Sequence, residues 1–196
     1  MLALILGLVM FLGVHSTGLF WPALRGHVVA RRGPLPWKGG YALLSLIGLV
    51  LIVWGYGQAR LEPVWLWVPP LWTMHLAALL TLPAFILLVA AYLPGSHIKA
   101  RVGHPMLLGV KFWAIAHLLA NGTLADLLLF GSFLAWAVAL FIVLRRRDRL
   151  SAVARRGRGS RDILVVIAGL AAWVVFALYA HEWLIGVAPF GSRAGS

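Results

Sequence analysis

MLALILGLVMFLGVHSTGLFWPAL, residues 1–24, contains no lysine, arginine, aspartate or glutamate. It lacks the basic start of a secretory signal, and its apolar run exceeds the length of a signal core. It reads as a first helix that stays in the membrane. Crossing a bilayer takes about 20 apolar residues. Further runs of that kind occur at 40–58, 72–93, 105–121, 123–144 and 162–185. These are six candidate spans with no stretch left for a soluble domain. Composition agrees: 62% of the chain is hydrophobic and 11% charged. The surface of a water-soluble domain needs more charge than that. The expected fold is all-α, an integral membrane bundle of about six transmembrane helices. Residues 1–190 form a single transmembrane domain, and GSRAGS (191–196) is a disordered tail.

The formal net charge of +12 raises the question of nucleic acid. Its distribution answers it. Arg25, Arg31, Arg32 and Lys38 come after the first span. Lys99, Arg101 and Lys111 fall around the start of the fourth. Arg145, Arg146, Arg147, Arg149, Arg155, Arg156, Arg158 and Arg161 lie between the fifth and sixth. Only Arg60 and Arg193 of the 17 basic residues are left for the other side. The positive-inside rule places the Arg-rich side in the cytoplasm and both termini in the periplasm. RRRDRLSAVARRGRGSR (145–161) is expected to meet anionic lipid headgroups. No base-reading motif interleaves with the charge, so nucleic acid is not an expected partner. There is no cysteine, which excludes disulfides, thiolate ligands and covalently attached c-type haem.

The spans are punctuated by short signals. RRGPLPWKGG (31–40) is expected to be a turn before the second span. EPVWLWVPPL (62–71) places two tryptophans at the outer interface. Asn121 and Gly122 stop the fourth span. Pro105 suits a first helical turn, with His104 before it as the cap. Asp162 near the start of the last span suits the helix dipole.

Polar groups inside apolar spans demand partners. In HPMLLGVKFWAIAHLLANG (104–122), helical spacing puts Met106, Val110, Trp113, His117 and Asn121 on one stripe. That stripe is expected to face the protein interior. Lys111 points about 120° away and is expected to snorkel to the headgroups. His15, in the first span, is the other deep imidazole. A membrane histidine has four uses: a hydrogen bond between helices, a proton relay, a metal ligand or an axial ligand to haem. Zinc is disfavoured, because no acidic or thiol residue lies deep in these spans. A b-type haem needs only two imidazoles, an apolar slot and polar groups for its propionates. Gly13, Gly18, Gly48 and Gly109 could let a flat ring approach the backbone. Ser16 and Thr17 either orient His15 or bond their own helix carbonyls. Arg25 either holds a propionate or anchors a helix end. His75, His117, His181 and Glu182 could form a second polar site, although interfacial snorkelling accounts for His181 and Glu182 equally well.

The chain resembles the NnrU family of bacterial membrane proteins. The resemblance is carried by GVHSTG (13–18) with Arg25, by GGYALLSLIGL (39–49), by residues 104–122 with Asp126 and LLLFGSF, and by HEWLIGVAPF (181–190). It implies a multi-pass protein of the bacterial inner membrane associated with denitrification and nitric oxide metabolism. The family is similar to plant zeta-carotene isomerase, a membrane enzyme that uses haem b. The likeness implies His15 and His117 as axial ligands of haem iron, with Arg25, Trp113 and Asn121 around the group. The isomerase has a cysteine after its tryptophan where this chain has Ala114, so its activity does not transfer. The role implied is redox, sensing or isomerase-like. Two alternatives remain. One is a methyltransferase-like membrane enzyme of the isoprenylcysteine or phospholipid type, using His104. The other is a non-enzymatic assembly factor with structural histidines.

Overall fold

A computed structural model describes residues 1–150 and 158–190. Arg155, Arg156 and the GSRAGS tail lie outside the described residues. The described residues form eight helices: α1 (Leu2–Phe20), α2 (Pro22–Arg32), α3 (Pro34–Ala59), α4 (Trp72–Tyr92), α5 (His97–Val102), α6 (Pro105–Ala120), α7 (Leu124–Leu150) and α8 (Gly159–Ile185). Among these residues there is no named strand, only one isolated bridge between Trp65 and Thr123. The chain is all-α. Five helices, α1, α3, α4, α7 and α8, are long and apolar enough to cross a membrane. The fourth run of the sequence becomes α6, an apolar helix of 16 residues. It falls short of the usual span length.

Two boundaries differ from the sequence reading, both at proline. The first run breaks after Phe20, so Arg25 lies in a separate helix and does not close the first one. Pro22 has no N–H to donate to the preceding turn, but it suits the first turn of a new helix. The segment from Pro34, expected as a turn, is already helical for the same reason. The turn is confined to Gly33, whose φ of 80° is a conformation that glycine reaches without strain.

The chain divides into two compact units, Met1–Leu66 with Thr123–Ser132, and Trp67–Gly122 with the residues from Phe133 onward. In the first unit α1 packs on α3. The approach depends on missing side chains. A Cβ on Gly7 would lie 2.6 Å from the Ile52 nitrogen, and one on Gly48 would lie 2.9 Å from the Phe11 nitrogen. Small residues that let backbones close up are how helices associate without a water-driven hydrophobic effect. Gly48 therefore serves helix packing, and Gly13 and Gly18 have open space beside them. The lipid-suited surface is plain on α3, where Leu43, Leu46, Val50 and Val53 are all exposed.

The start of α7 is pinned by a buried carboxylate in the same unit. The Thr123 N–H and hydroxyl both donate to Asp126 Oδ2, at 2.9 and 2.6 Å. The Asp126 N–H returns a bond of 3.2 Å to Thr123 Oγ1. This is the reciprocal capping arrangement of a helix start. The Tyr56 hydroxyl of α3 donates to the other oxygen, Asp126 Oδ1, at 2.5 Å. Leu124 donates its N–H to the Val64 carbonyl at 2.8 Å, which holds the 62–66 segment beside the cap.

In the second unit α4 packs against both α6 and α8. Gly109 of α6 sits against the Ala84 carbonyl, and Gly169 of α8 sits against Ile86. At the Arg-rich end, His104 caps α6 from its backbone, and its ring Nε2–H donates to Asp148 Oδ2 of α7 at 2.8 Å. Lys111 does point away from the polar stripe of α6. Its ammonium settles 3.6 Å from the centre of the Phe141 ring, where the face of the aromatic attracts a cation. Asp162 lies inside α8, and its carboxylate caps the neighbouring α5. It accepts from the Ile98 N–H at 3.0 Å and from His97 Nδ1–H at 2.9 Å.

Candidate functional site

The second unit encloses a cavity of about 440 Å³ between α4, α6, α8 and residues 187–189. That is within the usual range for small-molecule and cofactor sites. All five stripe residues, Met106, Val110, Trp113 and His117 of α6 and Asn121 at its C-terminal cap, line it. A residue repeats on one helix face every third or fourth position, so one run of sequence supplies a whole wall. The α4 wall is built largely of alanine, with Ala77, Ala78 and Ala84 leaving room beside Gly109. The few polar groups on the lining are restrained. Trp173 donates its indole N–H to Thr81 Oγ1 at 3.0 Å, and the Asn121 amide donates to the His117 carbonyl at 2.9 Å. Among the described residues no lysine or arginine lines the cavity.

His117 is held at two points. Its Nδ1 lies 2.8 Å from the Trp113 carbonyl, one turn back in α6. A carbonyl only accepts, so Nδ1 carries the proton and the ring lone pair is on Nε2. That is the arrangement in which a protein orients a histidine for metal ligation. The Trp113 indole also packs on the imidazole, with centroids 5.2 Å apart.

A second histidine lines the same cavity. His181 of α8 has its ring centre 6.5 Å from that of His117, with planes 29° from parallel. Its Nδ1 lies 2.7 Å from the Val187 carbonyl. Here the acceptor comes from beyond the helix. Gly186, at φ 74°, ends α8 and folds the chain back. Val187, Ala188 and Pro189 then close one side of the cavity. Just before His181 the helix widens into a π-helical turn, Phe176–Ala180, a local insertion common at functional sites. The sequence also groups His75 and Glu182 with His181, but neither of those lines the cavity.

His15 and Arg25 belong to the first unit. His15 Nδ1 lies 2.7 Å from the Phe11 carbonyl, so its proton is placed as in His117. Its ring stacks on Phe11 at 4.2 Å and meets Tyr41 at 5.3 Å. Ser16 and Thr17 bond the carbonyls of Leu12 and Val14, so they serve their own helix. Arg25 lies exposed on α2. Among the described residues no group of three or more His, Asp or Glu side chains gathers to hold a metal ion.

Two features go beyond the sequence reading. Thr-x-x-Asp at 123–126 is a capping pattern visible in the letters. The sequence reading already groups His181 with His117, but the π turn and the fold-back at Gly186 that set the His181 ring have no local signal.

No curated protein and no solved structure matches the chain. The NnrU protein family matches residues 3–189. That is nearly the whole length, and it includes both cavity histidines and the capped start of α7, so this multi-pass membrane protein belongs to the NnrU family.

Proposed function

We propose that the protein is a haem b protein of the bacterial inner membrane with a redox, sensing or isomerase-like role in nitric oxide metabolism and denitrification. The observation that carries this reading is His117, an imidazole on an apolar cavity wall with its proton fixed on Nδ1 by the Trp113 carbonyl. The residues present fit the group. The cavity is faced with alanine and glycine, which leave space for a flat ring, and Trp113 and Phe85 supply apolar contact. The scarcity of other metal-ligating side chains also favours haem, since the porphyrin brings four nitrogens of its own and asks the protein for one or two ligands. His15, the second ligand implied by the family likeness, has its proton on the same ring nitrogen. When bound, haem supplies one-electron chemistry or the binding of a small diatomic ligand. The chain's part is to orient the imidazole, keep water out with the α4 and α8 walls, and hold Asn121 at the polar end. The Arg-rich side is proposed to rest on anionic lipid headgroups.

The test is a haem assay on full-length protein purified in detergent from haem-replete cells. Wild type is expected to carry haem b in near-stoichiometric amount, and His117→Ala to lose most of it while keeping its elution profile and helix content. A wild type that stays colourless even after incubation with hemin rejects the reading.

A further inference from the structure

We propose that the seam between α6 and α7, at the Arg-rich end of the second unit, is a binding site for one anionic phospholipid, with Lys111 and Arg145 taking its phosphate. The inference does not depend on haem. It rests on the headgroup contact proposed above and sharpens it, from a diffuse attraction along the Arg-rich side to two named residues.

The two cations share one ring. Lys111 Nζ sits 3.6 Å from the centre of Phe141, and the Arg145 guanidinium carbon sits 5.9 Å from it. Both distances are within reach of a cation–π contact. Helical spacing explains the meeting: Phe141 and Arg145 lie one turn apart on α7, and Lys111 reaches across from α6. A ring face attracts a cation but does not neutralise it. The chain supplies no anion for this pair. It has five acidic residues. Glu62 and Asp126 belong to the other unit. Asp162 caps α5, and Glu182 lies in the last turns of α8. Asp148, one turn beyond Arg145, accepts from His104 Nε2–H at 2.8 Å. Among the described residues, neither Lys111 nor Arg145 forms an ion pair. Both are half-buried, so they are held in place and still open to the outside.

Away from the Arg-rich end, the same two stripes turn apolar. Ile115 follows Lys111 by one turn of α6. Ile142 and Val138 precede Arg145 on α7, and all three are exposed. Two cations above an exposed hydrocarbon track match an amphiphile with a phosphate head and acyl chains. A free anion would use the cations and leave the track bare. A guanidinium offers phosphate a fork of parallel N–H donors, and an ammonium offers a point charge. Basic pockets between membrane helices hold anionic headgroups in this way.

The experiment titrates full-length protein in detergent with phosphatidylglycerol and counts bound lipid by native mass spectrometry. Wild type is expected to bind one phosphatidylglycerol ahead of any others, and phosphatidylcholine only weakly. Lys111→Met and Arg145→Gln are each expected to weaken that first binding about 5-fold, and the double variant roughly 30-fold. If the double variant does not fold, the single ones decide. Lys111→Arg with Arg145→Lys keeps both charges and is expected to bind as wild type does. The control is Arg32→Gln with Arg146→Gln. It removes the same charge from the Arg-rich end, but Arg32 lies on α2 and Arg146 points about 100° away from Arg145. Its expected effect on the first binding is small. An equal loss in the control overturns the discrete site and leaves the diffuse attraction standing. Inorganic phosphate that displaces the lipid overturns the choice of a phospholipid over the free anion. A wild type with no preference for phosphatidylglycerol over phosphatidylcholine overturns both the site and the diffuse attraction.

Discussion

Asp126→Ala is expected to destabilise the detergent-solubilised protein by about 2–4 kcal/mol. The carboxylate is buried and accepts three bonds, from Tyr56 and twice from Thr123. Hydrogen bonds to a charged group contribute roughly 1.5–3 kcal/mol, and loss of a helix cap costs about 1 kcal/mol. These terms share partners, so they do not add in full. Tyr56→Phe removes one donor and leaves the cap, so a smaller loss of about 1–2 kcal/mol is expected. The double variant is expected to lose less than the sum of the two. Unfolding in denaturant, followed by circular dichroism, measures all three. An Asp126→Ala protein within about 0.5 kcal/mol of wild type would show that the carboxylate does not hold α7 in place.

Gly55→Leu is expected to have a comparable effect by a different route. A Cβ at Gly55 would run into the backbone of Leu4, which neither rotates away nor bends without moving α1. Overpacking of this kind typically costs about 1–3 kcal/mol, and a clash with backbone belongs at or above the upper end. Gly13→Leu is the control. Nothing lies within 4 Å of the Cβ it adds, and its expected effect is within about 0.5 kcal/mol. The same unfolding measurement separates them. Equal stability of the two variants would mean that α1 and α3 do not depend on the close approach seen at Gly7, Gly48 and Gly55.

The legible part of this protein is the part written in local periodicity. Long apolar runs announce the helices, because lipid leaves few other choices for a backbone. The α6 stripe is legible for the same reason: Met106, Val110, Trp113, His117 and Asn121 repeat at helical spacing, and all line the cavity. Boundaries are less so. In the letters alone Pro22 reads as continuation and Pro34 as turn, yet each starts a helix, because proline is equally at home in a turn and at a first helical position. Only the winding of the residues after each proline separates the two outcomes. The sequence reading groups His181 with His117, but the backbone that sets the α8 side of the cavity is illegible for a stronger reason. His181 reaches its position through a widened turn and a carbonyl six residues ahead, and neither has a residue pattern of its own. Periodicity puts Lys111 on the correct side of α6, but its resting place over Phe141 depends on a neighbouring helix.

The widened turn at Phe176–Ala180 makes the bearing of His181 a matter of counting. Every residue in an α-helix advances the chain by about 100° around the axis. Because this turn already holds one residue more than ordinary winding, one further residue inserted ahead of His181 would swing everything after it by about that angle. The imidazole would then turn off the α6 side with its own letter unchanged, and the fold-back through Gly186 would be launched in the wrong direction. In this protein the length of α8 is as much a part of the site as the histidine it carries.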